Sequence, residues 1–220
     1  LRGQQWAHSG WIETSTDDCY FADPIANGTV QLVNATTGRV TRTLQHAAAG
    51  RTTAAFCGAN RLLTVGSDGC VRLFDVTTGI CLRSWAPHEA TGSDPHPGPR
   101  IAVAPDGRHA ASCGADGVVA LFDLETEEVR LCPVRKGGIY YAAFDPIGTR
   151  LVTGGGDGAR GDRTVRVFDV HTGECLQTWG PFEGPVRWID WSHDGKSVVI
   201  ARDEKVADVC DVATGNTLAS

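Results

Sequence analysis

The sequence predicts an all-β fold of β-propeller type with five four-stranded blades visible, and three observations predict it. A phrase recurs, its copies are evenly spaced, and small turn residues stand at fixed offsets from each copy. The clearest copy is Val71-Arg72-Leu73-Phe74-Asp75-Val76-Thr77-Thr78-Gly79. Degenerate versions run from Val30 to Gly38, Val119 to Thr126, Val165 to Gly173 and Ala207 to Gly215. Aligning Val33, Phe74, Phe122, Phe168 and Cys210 gives a period of roughly 40 to 48 residues, in the range of propeller blades rather than helical solenoids.

Taken in order, residues 1–7 read as the outer strand of a preceding blade, and five blades follow at 8–45, 46–86, 87–133, 134–180 and 181–220. The fourth shows the pattern best. Ile139 to Phe144 is a strand, Asp145-Pro146-Ile147-Gly148 a turn, Arg150 to Thr153 a second strand, Thr164 to Phe168 a third and Cys175 to Trp179 an outer fourth. Asn27-Gly28, Asp68-Gly69 and Asp116-Gly117, ahead of the third strands, are residues that tolerate positive φ in tight hairpins. Thr-Gly serves the same purpose before the fourth strands, except in the third copy. There Glu127 replaces the glycine, and a looser turn is expected.

This pattern resembles the WD-repeat family of β-propellers along essentially the whole chain. The family's Trp-Asp pair stands here as Phe74-Asp75, Phe122-Asp123 and Phe168-Asp169, degrading to Val33-Asn34 and Cys210-Asp211. Its turn aspartate falls on Asp68, Asp116 and Asp162, with Asn27 and Glu204 as stand-ins. His8, His46 and His88 lie near the family's histidine position, and copies four and five have none. The resemblance implies a buried Asp-His network that is structural, with no catalytic role. A tract from Phe144 to Gly148, with Gly184 to Arg187 and Ser192 to Lys196, is locally similar to the WD-repeat subunit of the THO messenger-RNA export complex; such turns recur across the family. No copy carries arginine two residues after the pair's Asp, so a ubiquitin-ligase receptor role marked by that arginine is not implied.

Composition agrees with this reading. With 220 residues, 27 glycines and no long apolar run, the chain is expected to be a soluble β-rich domain with a sizeable core and no membrane span. A formal charge of −6 argues against broad electrostatic binding to nucleic acid. The eight cysteines are scattered with no C-x-x-C pair and read as small core hydrophobes, Cys81 and Cys175 sharing one repeat position. No secretory signal opens the sequence, so a reducing intracellular compartment, cytoplasmic or nuclear, is expected. The chain has no methionine, Leu1 to Ala7 resembles Leu82 to Ala86, and the last copy ends at Ser220 inside its own fourth strand. A piece of a larger propeller of about seven blades is therefore expected, with a closed five-bladed ring as the alternative.

Departures from the repeat are where function is grafted onto a scaffold. The loop Pro87 to Pro99 carries His88, Glu89, Asp94 and His96, but their spacing matches no zinc signature. The tract Gly154 to Arg163 expands a hairpin and contains G-x-G-x-x-G at Gly156, Gly158 and Gly161. That fingerprint binds phosphate between a strand and a helix, and here both neighbours read as strands. No G-x-S-x-G elbow, H-E-x-x-H or Walker loop occurs. Neither a catalytic residue, a metal nor a cofactor is expected, and the acidic runs at Asp17-Asp18, Asp203-Glu204 and Glu125 to Glu128 read as solvated turns.

Bulky residues at first-strand starts are the candidate interface: Trp11, Arg51, Arg100, Tyr140, Arg187 and Trp188. Aromatics and arginines bury large area with few rotors, which suits them to carry interface energy. Trp85 and Trp179, on outer strands, read instead as packing between blades. The expected function is a non-enzymatic scaffold binding other proteins of an intracellular multisubunit complex. One rival is an RNA- or ribonucleoprotein-associated subunit using Arg51, Arg100, Arg135, Lys136, Arg160 and Arg163 if they converge. A propeller enzyme, the other, would need convergent carboxylates or histidines in a pocket.

Overall fold

In a computed structural model, residues 12–25, 27–47, 50–91, 100–134, 137–155, 163–202 and 206–220 are described. All of their regular structure is strand, in five four-stranded antiparallel sheets. Sheet one holds β1 (Glu13–Thr14), β2 (Tyr20–Ile25), β3 (Thr29–Asn34) and β4 (Val40–Gln45). Sheet two holds β5 (Thr52–Phe56), β6 (Arg61–Gly66), β7 (Val71–Asp75) and β8 (Cys81–Trp85). Sheet three holds β9 (Arg100–Val103), β10 (His109–Cys113), β11 (Val118–Asp123) and β12 (Val129–Pro133). Sheet four holds β13 (Ile139–Phe144), β14 (Arg150–Gly155), β15 (Val165–Asp169) and β16 (Cys175–Trp179). Sheet five holds β17 (Val186–Trp191), β18 (Ser197–Arg202), β19 (Ala207–Asp211) and β20 (Thr217–Ala219). Within each sheet the strands pair in chain order, so every sheet is a meander closed by local turns.

The chain divides into two compact units, Leu1–Ile101 and Ala102–Ser220. In the first, Leu32 and Leu44 of sheet one pack with Phe56, Leu62 and Phe74 of sheet two. The second has two such layers: Leu121 and Cys132 meet Leu151 and Phe168, and Val152, Val167 and Trp179 meet Ile189, Ile200 and Cys210. The core therefore lies between consecutive sheets. This explains the strand sequences. Second strands are buried almost throughout, as at Leu62, Leu63 and Val65, all fully buried, whereas Cys81 to Ser84 on an outer strand are exposed. The repeat's aromatic fastens one sheet to another, since Phe74 and Phe168 each join the layer formed with the preceding sheet.

Three expectations change. Strand β14 runs on to Gly155, two residues beyond Thr153. A Cβ on Gly154 would come within 2.8 Å of Val186, and one on Gly155 would run into the carbonyl of Gly138, so neighbouring chain occupies that space. Only some cysteines are core residues. Cys57, Cys113, Cys132 and Cys210 are buried, while Cys19, Cys81 and Cys175 are exposed, and none forms a disulfide. On an outer strand one face has no covering sheet, and the thiols of Cys81 and Cys175 instead lie 3.2 and 3.4 Å from the carbonyls of Arg83 and Gln177. Finally, the turn at Glu127 is not looser. Glu127 adopts φ 64°, close to the 65°, 76°, 73° and 72° of Gly38, Gly79, Gly173 and Gly215, and Asp123 closes the turn by accepting from the backbone N of Glu125 and Thr126.

Candidate functional site

The repeat's polar residues hold turns. Asp75 Oδ1 accepts from the backbone N and hydroxyl of Thr78, and Asp211 does the same with Thr214 and Asn34 with Thr37. Asp169 accepts from the backbone N of His171 and Thr172. Asp123 accepts from Glu125 and Thr126 and also receives Arg108 Nε and Nη2 at 3.1 and 2.6 Å; that guanidinium holds its carboxyl well below the usual carboxylate range. Asp116 Oδ1 accepts from the backbone N of Val118 at 3.0 Å. Phe74, Phe122 and Phe168 are buried. Asp162, Glu204 and His8 lie outside the described residues.

In sheet two the histidine network is present. His46, 3% exposed, places Nδ1 2.6 Å from Thr64 Oγ1 and Nε2 3.1 Å from Asp68 Oδ1. Arg72 Nη1 lies 2.8 Å from both His46 Nε2 and Asp68 Oδ2. A guanidinium only donates and a carboxylate only accepts, so Nε2 serves either Arg72 or Asp68 according to the tautomer; Thr64 donates onward to the Arg72 carbonyl at 3.3 Å. Burial lowers the His46 pKa, with Arg72 adding to that effect against Asp68. Sheet five replaces the histidine with an ion pair: Arg202 Nε lies 2.6 Å from Asp208 Oδ2, and its guanidinium stacks 5.8 Å over Phe182. These are groups that fasten strands, and none faces a reactive partner.

The starts of first strands β13 and β17 differ from the regular repeat. Each carries a bulge at the same place: Ile139 pairs with Gly155 and Tyr141 with Gly154, skipping Tyr140, and Val186 pairs with Arg202 and Trp188 with Ala201, skipping Arg187. An extra residue in one strand re-aims the side chains beside it. The Tyr141 and Trp188 rings meet at 5.8 Å and 57°, and Trp188 stays 43% exposed beside exposed Arg187. Of the predicted interface residues, Arg187 and Trp188 are adjacent on β17, while Tyr140, the residue skipped by the bulge of β13, has its ring beside Gly138. Arg51 precedes β5 and Arg100 opens β9, both half-buried, and Trp11 lies outside the described residues. Sequence reading missed Tyr141, whose position next to Tyr140 gave no sign of which ring would reach Trp188. Arg135, Lys136 and Arg160 are also outside the described residues, so no convergence of cations is drawn from them.

Trp179 packs between sheets as expected: a Cβ on Gly215 would fall 2.6 Å from its ring, and Gln177 Nε2 donates to the Val212 carbonyl at 2.8 Å. At the equivalent contact one sheet earlier, a Cβ on Gly173 would fall 2.6 Å from Arg130 Cδ and 3.0 Å from Cys132 Sγ. There a half-open pocket of about 110 Å³ is lined by His109, Leu121, Phe122, Asp123, Glu128, Arg130, Val170 and His171. Among the described residues, no group of three or more His, Cys, Asp or Glu is placed to hold a metal ion. No helix of the described residues is long and apolar enough to cross a membrane.

Comparison with known proteins agrees with the repeat. The family described as WD domain, G-beta repeat matches residues 38–75, 80–123 and 128–169, more than half of the chain. The chain is similar to THO complex subunit 3 of Arabidopsis thaliana, 25% identical over 197 residues covering 70% of this chain and 59% of that protein. It is 30% identical over 144 residues to WD repeat-containing protein SL1-17 of Schistosoma mansoni, covering 64% and 43%. It is 27% identical over 158 residues to Nuclear distribution protein PAC1 of Arthroderma otae, covering 69% and 33%. The chain thus spans no more than 59% of the length of these relatives.

Proposed function

Because the chain belongs to the WD-repeat family, we propose that it is a non-enzymatic scaffold that binds other proteins of a multisubunit complex inside the cell. The observation that carries the reading is Trp188: a tryptophan 43% exposed, ring to ring with Tyr141, on a strand whose neighbours Val186 and Ile189 are 1% and 3% exposed. Leaving an indole in water forgoes its burial, and an indole with an adjacent arginine is the composition of an interface hot spot. Tyr140, Arg187 and Trp188 form the contact, with Tyr141 fixing the indole. Arg51, just before β5, and Arg100, at the start of β9, are further contact positions. The relatives named as a THO complex subunit and a nuclear distribution protein support membership of an assembly in the nucleus or cytoplasm.

Affinity purification of the parent protein, with cross-linking and mass spectrometry, tests this. Partners cross-linked near Tyr140 and Trp188, and lost when Trp188→Ala is introduced into a folded protein, support the scaffold. A hot-spot indole predicts about 30-fold weaker binding for that variant. Recovery of the protein alone, or unchanged partners with Trp188→Ala, refutes the assignment. If the bound species is RNA, affinity falls steeply as salt rises, which identifies the ribonucleoprotein alternative suggested by the THO subunit relative.

A further inference from the structure

The outer strand of sheet three departs from the other outer strands. In β4, β8, β16 and β20 the pairing with the third strand slips just after its start, stepping over Thr41, Leu82, Leu176 and Leu218. Strand β12 pairs with β11 without a break, from Val129 opposite Phe122 to Pro133 opposite Val118. A bulge interrupts the ladder of an outer strand and twists it, one of the ways an exposed edge is blunted. Strand β12 lacks that protection.

The side chains depart at the same place. Two residues before the repeat's aromatic position, the third strand pairs with a small hydroxyl residue in sheets one, two and four: Gln31 with Thr43, Arg72 with Ser84 and Arg166 with Thr178. In sheet three that pair is Ala120 with Leu131. Ala120 is fully buried and Leu131 is 53% exposed, so an aliphatic side chain stands in water where the other sheets place a hydroxyl.

The backbone adds unused hydrogen-bonding groups. Asp123 N donates to the Glu128 carbonyl at 3.0 Å and Val134 N to the Gly117 carbonyl at 2.8 Å, which fixes the phase of the ladder. Hydrogen-bonded pairs alternate along antiparallel strands, so Arg130 and Cys132 turn their backbone to β11 while Val129 and Leu131 turn N–H and C=O outward. Among the described residues neither makes a further hydrogen bond. On β8, by contrast, Arg83 Nη1 donates to the Leu82 carbonyl at 2.7 Å.

Such a row of groups is completed by another extended backbone, and the exposed leucine suits an aliphatic neighbour. A second copy of β12 fits poorly. Antiparallel pairing centred on Arg130 sets two guanidinium groups opposite each other, and pairing centred on Leu131 sets Val129 against Pro133, which has no N–H. Pairing centred on Val129 sets Leu131 against Glu127, whose φ of 64° is not extended.

We infer that β12 is a docking edge at which an extended segment of a different protein joins sheet three as an added strand, with an aliphatic side chain against Leu131. The segment is about five residues long, the length of β12. The inference rests on the reading of the chain as a protein-binding scaffold but uses a surface other than Trp188, and Trp188→Ala leaves it intact.

The test is NMR on the isotope-labelled chain with a blocked peptide, Lys-Thr-Val-Thr-Val-Thr-Lys, as the added strand. Saturation in about the millimolar range is expected, with amide exchange slowed at Val129 and Leu131 and unchanged at Arg130 and Cys132, which β11 already protects. Leu131→Thr, which restores the hydroxyl of the other sheets, is expected to weaken binding about 5-fold. Leu131→Pro, which deletes an outward N–H and no bond to β11, is expected to abolish it. Trp188→Ala should bind the peptide as the unaltered chain does, so loss of partners at β17 and loss of this contact are read separately. No saturable shift, or undiminished binding by Leu131→Pro, overturns the inference. Equal binding of a peptide N-methylated at both valines overturns it in favour of a purely apolar contact, and a concentration-dependent dimer that Leu131→Pro abolishes overturns it in favour of a second copy.

Discussion

Glu127 holds the same left-handed backbone as Gly173, φ 64° against 73°, in the equivalent turn of the adjacent sheet. An L-residue there pays a steric penalty of about 1–2 kcal/mol that glycine avoids, while glycine loses about 0.5–1 kcal/mol more conformational freedom on folding. Glu127→Gly should therefore stabilise the chain by about 0.5–1 kcal/mol. Urea denaturation reads this directly; an unchanged or lower midpoint would mean that Glu127 makes compensating contacts.

The buried, neutral His46 makes stability depend on pH. Its folded pKa lies below the ordinary value of 6.5, so between the two the unfolded chain binds the proton and the folded chain does not. Stability rises with pH wherever the unfolded state carries more protons. The contribution of His46 is thus complete above 6.5 and is lost as pH falls through that value. His46→Ala should cost about 1–3 kcal/mol at pH 7.5 through the stranded, fully buried Thr64 hydroxyl and the space left by the ring, and the gap to the unaltered chain should narrow by pH 5.5. A gap that holds constant across that range would show that folding leaves the His46 pKa unshifted, and one that widens towards pH 5.5 that His46 is protonated in the fold.

Asp145 is fully buried and accepts from the backbone N of Thr149 and Arg150 at 2.8 and 3.0 Å and from Arg150 Nε at 2.9 Å. Arg150 then reaches across to sheet five, donating to the Gly195 carbonyl at 3.0 Å and stacking 4.7 Å over Trp191. One carboxylate therefore anchors both a turn and a link between sheets. Asp145→Ala should lower stability by about 2–3 kcal/mol, discounting the partial exposure of Arg150. Arg150→Met, which keeps the stem over Trp191, should lower it less. Reversal of that order in chemical denaturation would locate the link in the cation instead.

Thiol chemistry should divide the cysteines by position in the sheet. Burial pushes the Cys57 thiol up to about 12, leaving almost no thiolate at neutral pH. Cys81 and Cys175 are exposed on outer strands. Iodoacetamide followed by peptide mapping should label Cys81 and Cys175 well before Cys57, Cys113 and Cys210. Early labelling of Cys57 would show that sheet two opens locally.

The phrase around Phe74-Asp75 and its copies, by itself, determined the sheets: a strand, its turn and its antiparallel neighbour are set by alternation and turn residues within a few positions. The same local logic put Asp75, Asp169 and Asp211 at one repeat position and located His46 and Asp68 in one repeat, while the capping of the following turns by those aspartates came from the structure. Only the tertiary structure decided what happens between sheets. Tyr141 meets Trp188 across 47 positions because two bulges fall at the same step of neighbouring strands, and His109 meets His171 because strand β10 and the turn of the next sheet lie side by side. Cys81 and Cys175 read as core and are exposed, and Glu127 read as a loosened turn and is not. Burial and backbone strain are settled by which surface a neighbouring sheet covers, and that is not written in the residues of the strand being covered.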